Sequence, residues 1–362
     1  MSLAAALPAL VLAAAPARAA AMAELRESWG DYRRAYVSED GRVIDFRADS
    51  STTSEGQAYA MVRALWMGDR PSFDLVRAWT VNNLQAGDPS RLPAWKWGRQ
   101  PDDTWSVLDA EPAADADQLY AWALLGAAKK WRLPPMKAQA LQLLARIWDE
   151  EVSTVGGRLV LLPGPWARDG APTRVNPSYF LPFVWRDFAR ADRAHPWMHL
   201  LDEGYRILSE CRSPSGLPRD WCDVDSSGRV VESVEPARGD FGFEAFRVGW
   251  TLAAEVRWHH EARAKALLPP FAELYDRMSQ PGRLPAVIRA DGSAGVDWEY
   301  PGMYGALLPA WALTRPGAAE AVWTEVLTPL RTETGWGDPV DYYGQNWIWF
   351  GLALWQLKEM PA

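Results

Sequence analysis

The sequence predicts an all-α protein, and three observations carry that prediction. Apolar residues recur at helical spacing along most of the chain. Strand-like runs are few and short. No low-complexity tract or charge block marks a boundary, so one domain is expected over residues 21–362. Its roughly 340 residues exceed the usual single core but suit a ring of helices, whose core is spread around the ring. Periodicity alone does not separate a ring from a bundle.

Taken in order, residues 1–20 form a short run of Leu, Ala and Val ending in Ala17-Arg18-Ala19, the pattern of a signal peptide. The run is too short to span a bilayer comfortably, and no later segment reaches about 20 uninterrupted apolar residues, so export without a membrane span is expected. Helical patterns follow near 21–36, 53–67, 71–85, 115–131, 134–152, 177–191, 196–211, 241–258, 261–278, 300–313, 316–330 and 342–358. Ala58, Met61, Val62, Leu65 and Trp66 show the spacing i, i+3, i+4, i+7, i+8, and Pro71 stands where a first-turn proline is tolerated. Arg158 to Leu162 and Arg229 to Glu232 read as strands of small hairpins in the connections. The long connections 86–114 and 212–240 carry much of the Trp, Pro and Asp content, which is where binding groups usually sit on a rigid scaffold.

Composition narrows the function. A net charge of -8 disfavours nucleic acid and anionic polysaccharides as partners and suits a neutral or cationic substrate. Twenty-two tryptophans are several times ordinary usage. Trp95, Trp97, Trp105, Trp166 and Trp221 stand beside Pro, Gly or charges, as rings that stack on sugars do; the competing reading is that tryptophans fill gaps between helices. The four histidines form no metal-ligand pattern, so a metal-centred mechanism would need an all-carboxylate site, and no metal is expected. Cys211 and Cys222 could close a short loop in an oxidising compartment or remain free thiols.

Two segments carry carboxylates in unusual settings. In Ala113 to Trp131, Asp115 and Asp117 stand at the mouth of an otherwise apolar helix. Two positions apart means roughly 200° of rotation, so the pair cannot address one point. One is expected to cap the helix and the other to face a cleft, against the alternatives of a plain N-cap with a solvated neighbour or an Asp-x-Asp metal site. Thr52 to Gln57 opens a second helix, with Glu55 at its start and Tyr59 one turn later on the same face. A helix dipole would hold Glu55 ionised, so a general acid there needs burial or a neighbouring carboxylate to raise its pKa.

Together these pieces resemble glycoside hydrolase family 8, most closely its branch of periplasmic endoglucanases tied to bacterial cellulose synthesis. The resemblance runs almost end to end and rests on GRVID (41–45), TTSEGQAYAM (52–61), NNLQ with RLPAWKWG (82–85 and 91–98), WSVLD (105–109), DADQLYAWALL (115–125), NPSY (176–179), FEAFRV (243–248) and YYGQNW (342–347). It implies an (α/α)6 barrel and inverting hydrolysis of β-1,4 linkages in cellulose or related β-glucan, without cofactor, in contact at most with cellulose synthase export components.

Carried over residue by residue, the resemblance makes Glu55 the general acid and has Asp115 hold the distorted sugar, with Asp117 beside it. Tyr179 would bind the attacking water, Glu244 takes the place of the base, and Arg247 would orient it. Gln57, Tyr59, Trp95, Trp97 and Trp105 join the substrate-binding set. Three positions depart from the branch. Glu244 stands where Asp is usual, Ala60 replaces Gly, and Ala114 replaces a hydroxyl residue. Glu is one methylene longer, and Asp240 stands nearby as a second candidate base. The readings that compete with an endoglucanase are a glycan-binding accessory protein with weakened catalysis and, within the family, a chitosanase, xylanase or lichenase.

Overall fold

A computed structural model describes residues 7–233, 235–278, 283–338 and 341–357. The chain runs α1 (Leu7–Tyr36), β1 (Thr52–Thr53), α2 (Ser54–Met67), α3 (Arg70–Asn83), β2 (Lys96–Arg99), β3 (Trp105–Asp109), α4 (Ala114–Lys130) and α5 (Pro134–Glu151). It continues through β4 (Val152–Val155), β5 (Arg158–Leu161), β6 (Thr173–Val175), α6 (Pro182–Ala191), α7 (Trp197–Glu210), β7 (Cys222–Val224) and β8 (Val230–Glu232). It closes with α8 (Phe246–His259), α9 (Ala262–Leu267), α10 (Pro269–Met278), α11 (Pro301–Thr314), α12 (Ala318–Val322), β9 (Arg331–Thr332), β10 (Gly335–Trp336) and α13 (Tyr342–Gln356).

Helices α2, α4, α6, α8, α11 and α13 pack side by side in that order, and α13 returns to α2, closing an inner ring. The remaining helices lie outside it: α1 against α13 and α2, α3 against α2, α5 against α4, α7 against α6, α9 against α8, α10 and α12 against α11. This is an (α/α)6 barrel. The expected twelve helical segments are all present, and the ninth is broken in two at Leu268, just before Pro269-Pro270. Inner helices are buried on nearly every side, as α2 shows from Gly56 through Trp66, whereas the outer α7 buries one stripe.

Ring closure depends on two glycines. A Cβ on Gly351 of α13 would lie 1.7 Å from the carbonyl oxygen of Gly305 on α11, so only glycine lets these backbones meet. Both expected hairpins form, β4 with β5 and β7 with β8, the second extended by β6. A further sheet, β1-β2-β3, was not legible in the sequence, because its strands are two to five residues long and mix Trp with Lys, Arg and Asp. Cys211 and Cys222 are joined in a disulfide with Cα atoms 6.1 Å apart.

Of the expected signal peptide, residues 1–6 lie outside the described residues, and Leu7 onward belongs to α1, which therefore begins well before the expected residue 21. Among the described residues no helix is long and apolar enough to cross a membrane. The substitution Gly351→Ala tests the ring contact: overpacking this seam is expected to cost about 3 kcal/mol, read as a lower midpoint in urea unfolding, and an unchanged midpoint would refute it.

Candidate active site

The ring brings the N-terminal ends of α2, α4, α8 and α13 to one face, and the acids found in the sequence stand there. Glu55 is in the first turn of α2. Thr53 caps that helix by accepting the Gly56 N–H at 3.2 Å and lies 3.0 Å from the Tyr342 hydroxyl. The Ser54 N–H donates to the Trp95 carbonyl at 2.9 Å, which ties Trp95 to the residue beside Glu55.

At the start of α4 the cap is Ala113, with no side-chain hydrogen bond, so neither Asp115 nor Asp117 caps the helix. That expectation fails because both acids already lie inside the first turn. Their divergence holds. Asp115, 3% exposed, receives Arg247 Nη1 at 2.7 Å and the Ala116 N–H at 2.9 Å. Asp117, 1% exposed, turns instead toward Glu151 at the end of α5. It is therefore withdrawn from the substrate-binding set. All four oxygens of Asp117 and Glu151 are buried without a donor among the described residues, an arrangement that favours a proton shared between the two carboxyls. Burial first, then the facing charge of Glu151, pushes Asp117 well up, and burial pushes Glu151 to about 8.

Arg247 is the hub. Besides Asp115 it donates from Nη2 to Ser178 Oγ at 2.7 Å and to Glu244 Oε2, while Nη1 lies 3.4 Å from the Tyr59 hydroxyl. Its guanidinium stands 5.3 Å from the Tyr179 ring centre. Glu244 lies in a turn just before α8, not on the helix as the pattern 241–258 implied. Asn176 Nδ2 at 3.0 Å and Ser178 Oγ at 3.3 Å also reach Oε2, so every protein donor lands on one oxygen and Oε1 is left free among the described residues. The structure thus brings together Glu55, Tyr59, Asp115, Tyr179, Glu244 and Arg247.

Electrostatically, several carboxyls surround one guanidinium. Burial, then the Asp115 charge, raises Glu55 to about 8, and Arg247 only partly opposes them. Its Oε2 is buried with no donor, while the side chain remains partly open to the cleft. Burial raises Asp115 as well, opposed chiefly by Arg247.

Other candidates separate from this cluster. Gln57 is fully buried, accepts the Val43 N–H at 2.7 Å and donates to Thr80 Oγ1 at 2.9 Å, tying the 41–43 loop to α3 rather than meeting a ligand. Asp240 Oδ1 accepts the Ala290 N–H at 3.2 Å, a loop-holding role outside the Arg247 network. Trp95 is 38% and Trp105 43% exposed, whereas Trp97 is half-buried, edge-on to Trp79 at 5.3 Å and stacked on Trp105 at 5.1 Å. Trp166, half exposed, stands by Gly164, whose loop accepts the Ala114 N–H through Pro163. Phe243 and Trp298, both exposed, pair at 5.9 Å beside Glu244. Exposed rings thus stand on segments tied to the residues next to Glu55, Asp115 and Glu244.

Four residues escaped the reading of the sequence. Asn176 and Ser178 lie inside the NPSY motif, which offered a signal. Gln118 binds the Tyr179 carbonyl at 3.1 Å and accepts the Trp185 indole N–H at 2.6 Å, which sets the 177–179 turn against α4. Asp220 Oδ1 accepts the N–H groups of Gly242, Glu244 and Ala245 at 2.9, 3.1 and 2.7 Å. Burial lifts Asp220 to about 7 in spite of these donors. A cavity of about 670 Å³ at the opposite end of the barrel has Asp187 as its acid, already bound to Trp122 and Arg190.

A barrel with several acids gathered at one mouth, one of them pushed up to about 8, and exposed rings on the neighbouring segments is the arrangement of a glycoside hydrolase. The model of glycosyl hydrolases family 8 matches residues 2–299, and the chain belongs to that family. It is 37% identical to an endoglucanase of Salmonella typhi over 289 residues, 78% of this chain and 76% of that protein. It is 42% identical to an endoglucanase of Escherichia coli (strain K12) over 199 residues, 54% of this chain and only about half (53%) of the relative. The crystal structure of endo-1,4-D-glucanase from Vibrio fischeri ES114 superposes with a TM-score of 0.77 at 27% identity, covering 91% of this chain and 94% of that one.

The shared proton has a measurable consequence. Asp117 and Glu151 hold it in the fold to higher pH than in the unfolded chain, where carboxyls titrate near 4, so the pair costs stability increasingly as pH rises from about 4.5 to 8. Glu151→Gln keeps a donor for Asp117 and removes both the Glu151 titration and the facing charge that helps to raise Asp117, leaving only the burial of Asp117 itself. Its melting temperature relative to the wild type is expected to climb between pH 5 and 8; a pH-independent difference would contradict the shared proton.

Proposed function

We propose that the protein is an inverting endo-β-1,4-glucanase acting on cellulose or a related neutral β-glucan. In this reading it is exported by way of residues 1–20 to the periplasm or medium and works beside bacterial cellulose synthesis and export. The observation that carries the chemistry is the contrast between Glu55, pushed up to about 8, and Glu244, anchored through Oε2 to Arg247, Asn176 and Ser178 with Oε1 open. Glu55 gives its proton to the glycosidic oxygen. A water on the far face of the sugar, oriented by Tyr179, loses a proton to Glu244 Oε1 and attacks the anomeric carbon, which yields an α product. Asp115, fixed by Arg247, binds the sugar at the point of cleavage.

The endo reading and the substrate rest on relatives named endoglucanases and on three sets of exposed rings, near Trp95, Trp166 and Trp298, beside the three acids. A mouth rich in carboxylates repels polyanions and accepts neutral chains.

Glu55→Gln is expected to lose about 10³-fold or more in turnover while still binding glucan. Proton NMR of fresh wild-type product should show the α anomer; a β product removes the inverting mechanism, and a wild type inert on every β-1,4-glucan leaves a binding protein. A protonated Glu55 is required below its pKa of about 8 and is lost above it, so kcat/KM should fall on the alkaline side near that pH. Asp115→Asn removes the second largest cause of the shift and should move that limb to lower pH, whatever the residual rate; an unmoved limb refutes the assignment.

The tryptophans separate by exposure. Trp95→Ala should weaken cello-oligosaccharide binding by about 1 to 2 kcal/mol with little change in melting temperature. Trp97→Ala, which unpacks Trp79, Trp105 and the Arg42 guanidinium 4.6 Å from its ring, should chiefly lower the melting temperature. The reverse pattern would move the glucan path away from Trp95.

A further inference from the structure

We propose that Asp220 is a positioning residue for Glu244, and that the Cys211–Cys222 disulfide holds Asp220 in place, so that the main chain carrying the base is set by an oxidised loop as well as by Arg247 of the helix after it. The inference rests on Glu244 being the base.

Helix α8 starts at Phe246 with no side-chain cap, so the N–H groups of the preceding turn need partners elsewhere. Three of them, from Gly242, Glu244 and Ala245, converge on Asp220 Oδ1, a carboxylate more than twenty residues upstream. The backbone that carries the base is therefore fixed to the 212–221 loop. There is little slack: a Cβ on Gly242 would lie 2.7 Å from Asp220 Oδ2, and the Asp220 N–H is itself bound to the Asp240 carbonyl at 2.7 Å.

That loop is closed by the disulfide at its two ends, and Asp220 is two residues from Cys222. Cys222 opens β7 and pairs with Val175 of β6, directly before Asn176, which binds the Glu244 carboxylate at 3.0 Å. Two of the supports of Glu244, Asp220 on its main chain and Asn176 on its side chain, thus hang on the strand end beside Cys222. A closed loop restricts how far this strand end can wander, and misplacing a base by about 1 Å can cost roughly 10²-fold in rate.

The test compares Asp220→Ala, Asp220→Asn, Glu244→Ala, the double variant Cys211→Ala/Cys222→Ala and wild type with and without dithiothreitol. Each is assayed on a soluble cello-oligosaccharide with and without sodium azide. Azide attacks the anomeric carbon itself as the bond to the leaving sugar breaks and Glu55 protonates the leaving oxygen, giving an α-glycosyl azide with no base required. Asp220→Ala is expected to lose about 10²-fold in kcat with KM within about threefold, and azide should restore turnover as it does for Glu244→Ala. Asp220→Asn, which keeps the acceptor oxygen, should rescue most of the rate. Reduced wild type and the double cysteine variant should fall in kcat and respond to azide in the same way. A folded Asp220→Ala with unchanged kcat, or one that azide does not restore while Glu244→Ala is restored, overturns the positioning role. Should Asp220→Ala fail to fold, an azide-insensitive loss in Asp220→Asn or in the reduced enzyme does the same. Full activity after reduction overturns the part played by the disulfide. An active Glu244→Ala instead defeats the reading of Glu244 as base.

Discussion

The site depends on one buried cation. Arg247 is 5% exposed, and a guanidinium removed from water is tolerated only when its donors are met by charge and by well-placed acceptors. Its partners come from different parts of the chain: Asp115 from α4, Ser178 from the 177–179 turn, Tyr59 from α2 and Glu244 from the turn before α8. Satisfying Arg247 therefore fixes the relative placement of these elements. The groups gathered at this mouth are brought into register by the same contacts that make the cation tolerable.

Helix N-termini favour anions, and the barrel directs several of them at one mouth. Yet one guanidinium cannot balance Glu55, Asp115 and Glu244 together with the Asp117–Glu151 pair behind them, so some of these groups keep their protons to unusually high pH. Glu55 is raised to about 8 by burial and by Asp115, which outweigh the opposing charge of Arg247. An acid poised near neutrality is a product of crowding more than of its own helix, whose dipole acts the other way.

The outline of this arrangement was legible in the sequence because helix periodicity and the rotation per residue are local properties. The divergence of Asp115 from Asp117 follows from two steps of helix rotation and holds. Which side each would face did not follow, since the partners, Arg247 and Glu151, are distant in the chain. Gln57 misled for the same reason. It stands in the SEGQ motif beside Glu55, and only packing against α3 turns its amide into a structural tie. Asp220 gave no signal at all, because its three acceptor contacts are with backbone more than twenty residues away. The β1-β2-β3 sheet was missed because strands this short carry too few alternations to be read.

A second buried arginine shows what separates scaffold from site. Arg63 is fully buried, has no carboxylate partner among the described residues, and is met instead by the Ser28 carbonyl, Asn346 and the rings of Tyr32 and Trp349 at 4.2 and 4.8 Å. Burial pulls it down to about 9, and its surroundings are closed protein. Arg247 is nearly as enclosed, but one of its partners keeps an oxygen, Glu244 Oε1, that no protein donor reaches among the described residues. Burial alone therefore does not distinguish the two. What distinguishes them is the company each charge keeps: Arg63 is met by neutral groups that are themselves closed in, whereas Arg247 is met by carboxylates, one of which retains an unused acceptor.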